Sequence, residues 1–371
     1  MNLKKYVFFI LIIVSSLIIG FAWIREKERC REKSEQFEEI VKKEKEWIRR
    51  NQGSKGEIYL NSLDKDGAKD VNPYFACQAA MSLLSGNVTQ EDMECVKKYL
   101  IWHTGELIRL DGIISNYRVK EGRLEATGRY DSVDAYIAAY LSLLAEYAKQ
   151  GGEVEALPEC EEAIQKSCEV LYRLTEDGLT RVKPENGVKY TMDNMEVYDA
   201  CSRMAAFFGG GQSKGWEKRK EYGKWFASVA QMYKSAIREK LWNPEMLRYE
   251  TGLWEDGSVI EFKEGGIYPE AVVQIYGGVC GLDIPDRRVQ KKLYERLCQS
   301  FAWEEMTLED EFDWSLVAYA AALQGDWKRA EQYVLGFEEK YGVQREYPFH
   351  TAKSGWNVRT AGRLAEFWRE K

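Results

Sequence analysis

The sequence predicts an all-α fold, an (α/α)6 toroid of six helical hairpins, and three observations predict it. Helical periodicity runs from about residue 34 to the end of the 371-residue chain. The helices are of two kinds that alternate, six of each. The segments entering the second kind resemble one another and nothing else in the chain. A helical solenoid would instead repeat at a constant length, and these intervals are irregular.

Before the helices lies an apolar run from Tyr6 to Ile24, preceded by Lys4 and Lys5. About twenty such residues span a bilayer. Residues 1–24 are therefore expected to form a signal anchor, with a signal peptide cleaved near Gly20-Phe21-Ala22 as the alternative. The charged stretch 25–33 reads as a linker and 34–371 as the barrel domain. Arg25, Lys27, Arg29, Arg31 and Lys33 favour a cytoplasmic domain by the positive-inside rule. The short N-terminal tail favours export, and the expected location is membrane-anchored with an extracellular domain, or secreted.

The first kind of helix is long, charged and amphipathic. It comprises 35–50, 90–102, 153–174, 216–241, 286–301 and 326–341. In 153–174, Leu157, Ile164, Cys168 and Leu171 share a face, so one side packs inward and the other stays in water. The second kind is shorter, rich in Ala and Gly, and apolar nearly all round. It comprises 75–84, 135–144, 200–208, 271–279, 315–323 and 361–367. A helix apolar on every side is buried on every side, which makes these the inner ring. Gly209-Gly210-Gly211 reads as a helix stop. Strand signals are confined to 113–119 and to 248–251 facing 259–262.

In a ring of hairpins all inner helices run the same way, so their N-termini gather at one mouth. The segments there are Asn72-Pro73-Tyr74-Phe75, Tyr130-Asp131-Ser132-Val133-Asp134, Asp193-Asn194-Met195-Glu196-Val197-Tyr198, Tyr268-Pro269-Glu270, Glu311-Phe312-Asp313-Trp314 and Gly355-Trp356-Asn357-Val358-Arg359. Each combines an aromatic with a polar or charged group. The acids alone would suit helix capping, with Asp131 and Asp134, or Asp193 and Glu196, as capping pairs. Caps do not need the neighbouring aromatics. Trp356 and Arg359, one turn apart, should point the same way.

A mouth lined by carboxylates and aromatics suits glycoside hydrolysis, which needs one acid to protonate the leaving oxygen and a second carboxylate to activate water or attack the sugar. Glu196 is the expected general acid, with Asp193 or Asp134 as its partner. Asp131, Asn194, Arg359, Tyr130 and Trp356 are expected to bind and orient sugar, joined at the mouth by Tyr74, Tyr198, Glu270 and Trp314. The net charge of −7 argues against a nucleic-acid partner. Two histidines, His103 and His350, make imidazole chemistry and His-rich metal sites improbable, and neither metal nor cofactor is expected. The eight cysteines form no CxxC pair.

The order Asn-Pro-Tyr-Phe, Tyr-Asp-Ser-x-Asp-Ala-Tyr, Asp-Asn-x-Glu-Val-Tyr, Tyr-Pro-Glu-Ala and a late Gly-Trp resembles the six-hairpin glycosidase superfamily, from about Gly56 to Phe367. Asp131-Ser132-Val133-Asp134-Ala135 is similar to the entry of the second inner helix in family-eight glycoside hydrolases. Those enzymes carry a catalytic Glu at the first inner helix, where this chain has Asn72-Pro73-Tyr74-Phe75. The resemblance implies the toroid and activity on a carbohydrate. A non-catalytic glycan-binding protein and a polysaccharide lyase are the alternatives.

Overall fold

The computed structural model describes residues 3–61, 69–213, 215–306, 314–345 and 349–371. Twelve α-helices lie among the described residues. The odd-numbered ones are α1 (Leu3–Arg50), α3 (Gln90–Arg109), α5 (Cys160–Leu174), α7 (Arg219–Ala236), α9 (Arg287–Ser300) and α11 (Trp327–Tyr341). The even-numbered ones are α2 (Pro73–Leu83), α4 (Val133–Lys149), α6 (Thr191–Gly209), α8 (Val272–Val279), α10 (Ser315–Gln324) and α12 (Thr351–Glu370). The even helices touch in sequence, α2 on α4, α4 on α6 and so on, and α12 packs back onto α2. That last contact closes the ring. Each odd helix backs an inner one, α1 lying along α12. The expected all-α toroid is the observed architecture.

Burial follows the two sequence patterns. In α4 every residue from Val133 to Ala145 is buried, so this helix has no water-facing side. In α5 the buried set is Cys160, Ala163, Ile164, Ser167, Val170, Leu171 and Leu174, one stripe at helical spacing. Small residues let the inner helices approach closely. A Cβ at Gly355 of α12 would come within 3.2 Å of the Gln78 carbonyl oxygen and the Ser82 hydroxyl of α2. The third position of α3 carries Asp92, fully buried, which completes a capping box with Thr89 and also meets Lys45 at 3.2 Å and Arg49. That cluster ties α1 to the barrel. All eight cysteines are free thiols.

Some boundaries differ from the sequence reading. The 25–33 stretch is helical and continuous with its neighbours in α1, and Cys30 is buried. Among the described residues no helix is long and apolar enough to cross a membrane. Much of the Tyr6–Ile24 run has side chains outside the described set, and the part that is described, including Leu17, Ile18, Phe21 and Trp23, is exposed. α12 starts ten residues earlier than the apolar pattern suggests, because Thr351, Ser354, Asn357 and Thr360 are buried polar residues that hide its periodicity. At the ring mouth, β1 (Asp70–Val71), β2 (Tyr117–Lys120) and β3 (Arg123–Ala126) form a small antiparallel sheet. Arg248–Tyr249 pairs with Trp242–Asn243 rather than with 259–262; only Val259 bridges back, to Leu253.

Candidate active site

The inner helices start at one mouth, and a cavity of about 330 Å³ opens there. Its wall comes from Asn72, Tyr74 and Gln78 of the first inner segment, Asp131 and Ser132 before α4, Asp193 and Glu196 of α6, and Tyr268, Tyr276, His350 and Trp356.

The acids reach it because of where the helices begin. α4 has Ser132, not Asp131, as its N-cap residue, and Ser132 makes no capping bond. Its hydroxyl instead donates to Asp193 Oδ2 at 2.8 Å. Asp131 is left exposed, facing the cavity. In α6 the N-cap residue is Tyr190, so Asp193 stands at the third position and Glu196 in the second turn. Neither caps the helix. Three residues apart, they share one face.

Glu196 is held by two phenols. Tyr74 donates to its Oε1 at 2.6 Å and Tyr276 donates to the same oxygen. Oε2 is left to carry a proton. Burial, reinforced by the Asp193 charge, raises the Glu196 carboxyl to about 8 against the pull of those phenol bonds. Burial also raises Asp193 to about 7; the Ser132 bond opposes this and the Asp131 charge adds to it. The cavity therefore holds two carboxyls, one helical turn apart, that burial raises far above the ordinary carboxylate range.

Aromatic faces complete the wall. Trp356 stacks obliquely on Tyr319, ring centroids 5.4 Å apart. Tyr74 stacks on Tyr136 at 6.1 Å, and Tyr268 stands exposed at the rim. His350 is kept neutral, its imidazole pushed down to about 3 by burial and the nearby Lys353 charge.

Of the residues singled out in the sequence, Glu196, Asp193, Asp131, Tyr74 and Trp356 meet at this cavity. The others do not. Asp134 is fully buried behind it, accepting from the Thr180 hydroxyl at 2.7 Å and the Ala135 amide at 2.9 Å. Burial, then the Asp193 charge, holds its carboxyl well above the usual range. Asn194 spends its amide on the Thr180 and Tyr190 carbonyls at 3.0 and 2.9 Å, and its Oδ1 accepts from the Thr180 amide. It is a tether between α6 and the preceding strand. Tyr130 turns outward to Glu185, 3.4 Å away, and Lys183. Tyr198 packs between two core clusters. Glu270 is buried and folds back over Gly266. Trp314 packs on Phe301 in the core, and Glu311, Phe312 and Asp313 lie outside the described residues. Arg359 does follow Trp356, its guanidinium 4.2 Å from the indole ring centre, but it faces a different cavity.

Tyr276, Gln78 and His350 also line the cavity, and no sequence pattern marks them for it. Tyr276 sits inside an apolar inner helix, where a tyrosine reads as core. The signal was its phenol, which a buried tyrosine must pair.

This ring is shared with solved structures. A glycosidase in its wild-type form superposes with a TM-score of 0.62 at 12% identity, covering 89% of this chain and 97% of that one. The chain shares the fold of these glycosidases. A glutamate-to-alanine glycosidase variant in complex with glucose gives the same TM-score at 11% identity, with 89% and 97% covered. A cold-adapted family-eight xylanase superposes with a TM-score of 0.50 at 11% identity, covering 85% of this chain and 83% of that one. No family model matches the sequence, and no curated protein matches it.

Proposed function

We propose that the protein is a glycoside hydrolase in which Glu196 is the general acid and Asp193 the partner carboxylate. The observation that carries this reading is a pair of carboxyls one helical turn apart in an aromatic-walled cavity at the ring mouth, Glu196 gripped by Tyr74 and Tyr276 and Asp193 bonded to Ser132, both raised by burial. Two acids whose environments separate their ionisation can divide the labour of glycoside cleavage. Glu196 Oε2 gives its proton to the leaving oxygen, and Asp193 takes one from the attacking water. Trp356 supplies a platform for a sugar ring, and Asp131 orients hydroxyls. The glycosidase relatives in fold support the substrate class.

Reducing-end release from a panel of polysaccharides tests this. The rate should rise as Asp193 ionises near pH 7 and fall as Glu196 ionises near pH 8, the two limbs belonging to the pair. Asp193→Asn should remove the acidic limb. It should also move the alkaline limb to lower pH, because the negative charge that resists Glu196 ionisation is gone. Saturable sugar binding without any release would leave a glycan-binding protein.

The exposed apolar side chains of α1 between Leu17 and Ile24 support insertion of its N-terminal part into a membrane. The full chain should then sediment with membranes and resist alkaline carbonate extraction, and extraction into the wash would refute the anchor.

A further inference from the structure

A second cavity lies further along the inner helices, on the far side of the active site. It measures about 260 Å³, just under the roughly 300–1,000 Å³ of sites for drug-sized ligands. Gln78, Glu196, Tyr276 and Trp356 line both cavities and form the waist between them.

Its walls are charged. Lys149, Arg203 and Arg359 face Glu146 and Asp199. Arg203 donates to Asp199 at 2.8 Å and to Glu146 at 3.3 Å, and Lys149 meets Glu146 at 3.3 Å. Both carboxylates are thereby engaged by other cations. Arg359 instead meets the Gln78 carbonyl at 3.1 Å and its amide oxygen at 3.3 Å, both through Nη2. Its Nε is buried with no hydrogen-bond partner. One face of the guanidinium lies over the Trp356 indole. No carboxylate pairs with it directly, although a guanidinium remains charged in proteins and a partly buried cation without a hydrogen-bonded counter-ion is costly. Cations at the C-terminal ends of the inner helices would be expected from the helix dipole, which accounts for Lys149 at the end of α4. It does not account for Arg359, in the middle of α12.

We propose that this second cavity binds a small monocarboxylate, anchored on Arg359. With Glu196 at the waist holding its proton, the lining carries three cations against two carboxylates, so a single negative charge would balance the one left over, and a carboxylate matches the guanidinium fork. A dianion would overshoot. The carboxylate can belong to a free short-chain acid or to an acidic sugar, and the chemistry at Arg359 is the same.

The test is calorimetric titration of the protein with acetate and, separately, glucuronate, at constant ionic strength set by chloride. One-to-one saturable binding is expected for at least one of them. Arg359→Gln should weaken it tenfold or more, with far-UV circular dichroism reporting that the helices remain. Ser142→Leu, which narrows the cavity from α4, should weaken it as well. Binding of acetate but not glucuronate would assign a free short acid, and the reverse an acidic sugar. Absence of saturable heat with both probes, or unchanged affinity in Arg359→Gln and Ser142→Leu, would overturn the proposal. The readout is binding, so it is independent of hydrolysis.

Discussion

Glu196→Gln is expected to lower kcat for polysaccharide hydrolysis by about 10²–10⁴-fold, the usual contribution of a positioned general acid, with KM little changed. Glutamine keeps the shape and can still accept from Tyr74 and Tyr276, so the cavity wall should stay in place. It has no proton to give. The same substitution should leave the protein folded, and more stable above neutral pH. The sign follows from the raised carboxyl. In the unfolded chain Glu196 ionises near 4.5, and in the native site near 8. Between those values the native state holds a proton that the unfolded chain has lost, so stability falls as pH rises through the window. Glutamine removes that loss. Initial rates on whichever polysaccharide the wild type cleaves, together with denaturant unfolding at pH 8, check both halves. An active Glu196→Gln enzyme would remove Glu196 from the mechanism.

Asp92→Ala is expected to cost about 3–5 kcal/mol of unfolding free energy, the range for breaking a buried ion pair from one side. Asp92 and Lys45 are both buried, and Asp92 is also the reciprocal half of the capping box with Thr89. Its loss leaves the Lys45 ammonium with only the Leu83 and Asn87 carbonyls, at 2.9 and 3.0 Å. Burial already drives the Lys45 amine downward, with the Asp92 charge opposing that shift. Glu91→Ala is the control. Glu91 is an exposed partner of Arg49 at 3.6 Å, and exposed pairs are worth about 0–1 kcal/mol. Urea midpoints of the two variants separate the cases. Equal small losses would mean that the cluster does not secure α1.

The structure also shows why helix-capping acids and cavity-facing acids were entangled in the sequence. Asp131 and Asp134, like Asp193 and Glu196, have the spacing of a capping box. A one-residue difference in where α4 begins turns Ser132 into the N-cap and sends Asp131 to the cavity, while Asp134 goes into the core. Such an offset is below what periodicity resolves. Asn194 and Glu196, two residues apart on one helix, point to different sides, and only one reaches the cavity.

The alternation of wholly apolar and amphipathic helices determined the ring, since a helix without a wet side must be enclosed and one with a single dry face must enclose it. Parallel inner helices then placed Tyr74, Asp131, Asp193, Glu196 and Trp356 at one mouth. Tertiary structure alone decided which acids face the cavity, that Tyr276 and Tyr74 grip Glu196, and that Trp356 stands at a waist with Arg359 beyond it. Those outcomes depend on distances between residues far apart in the chain and on the loss of water around them. Local sequence carries neither.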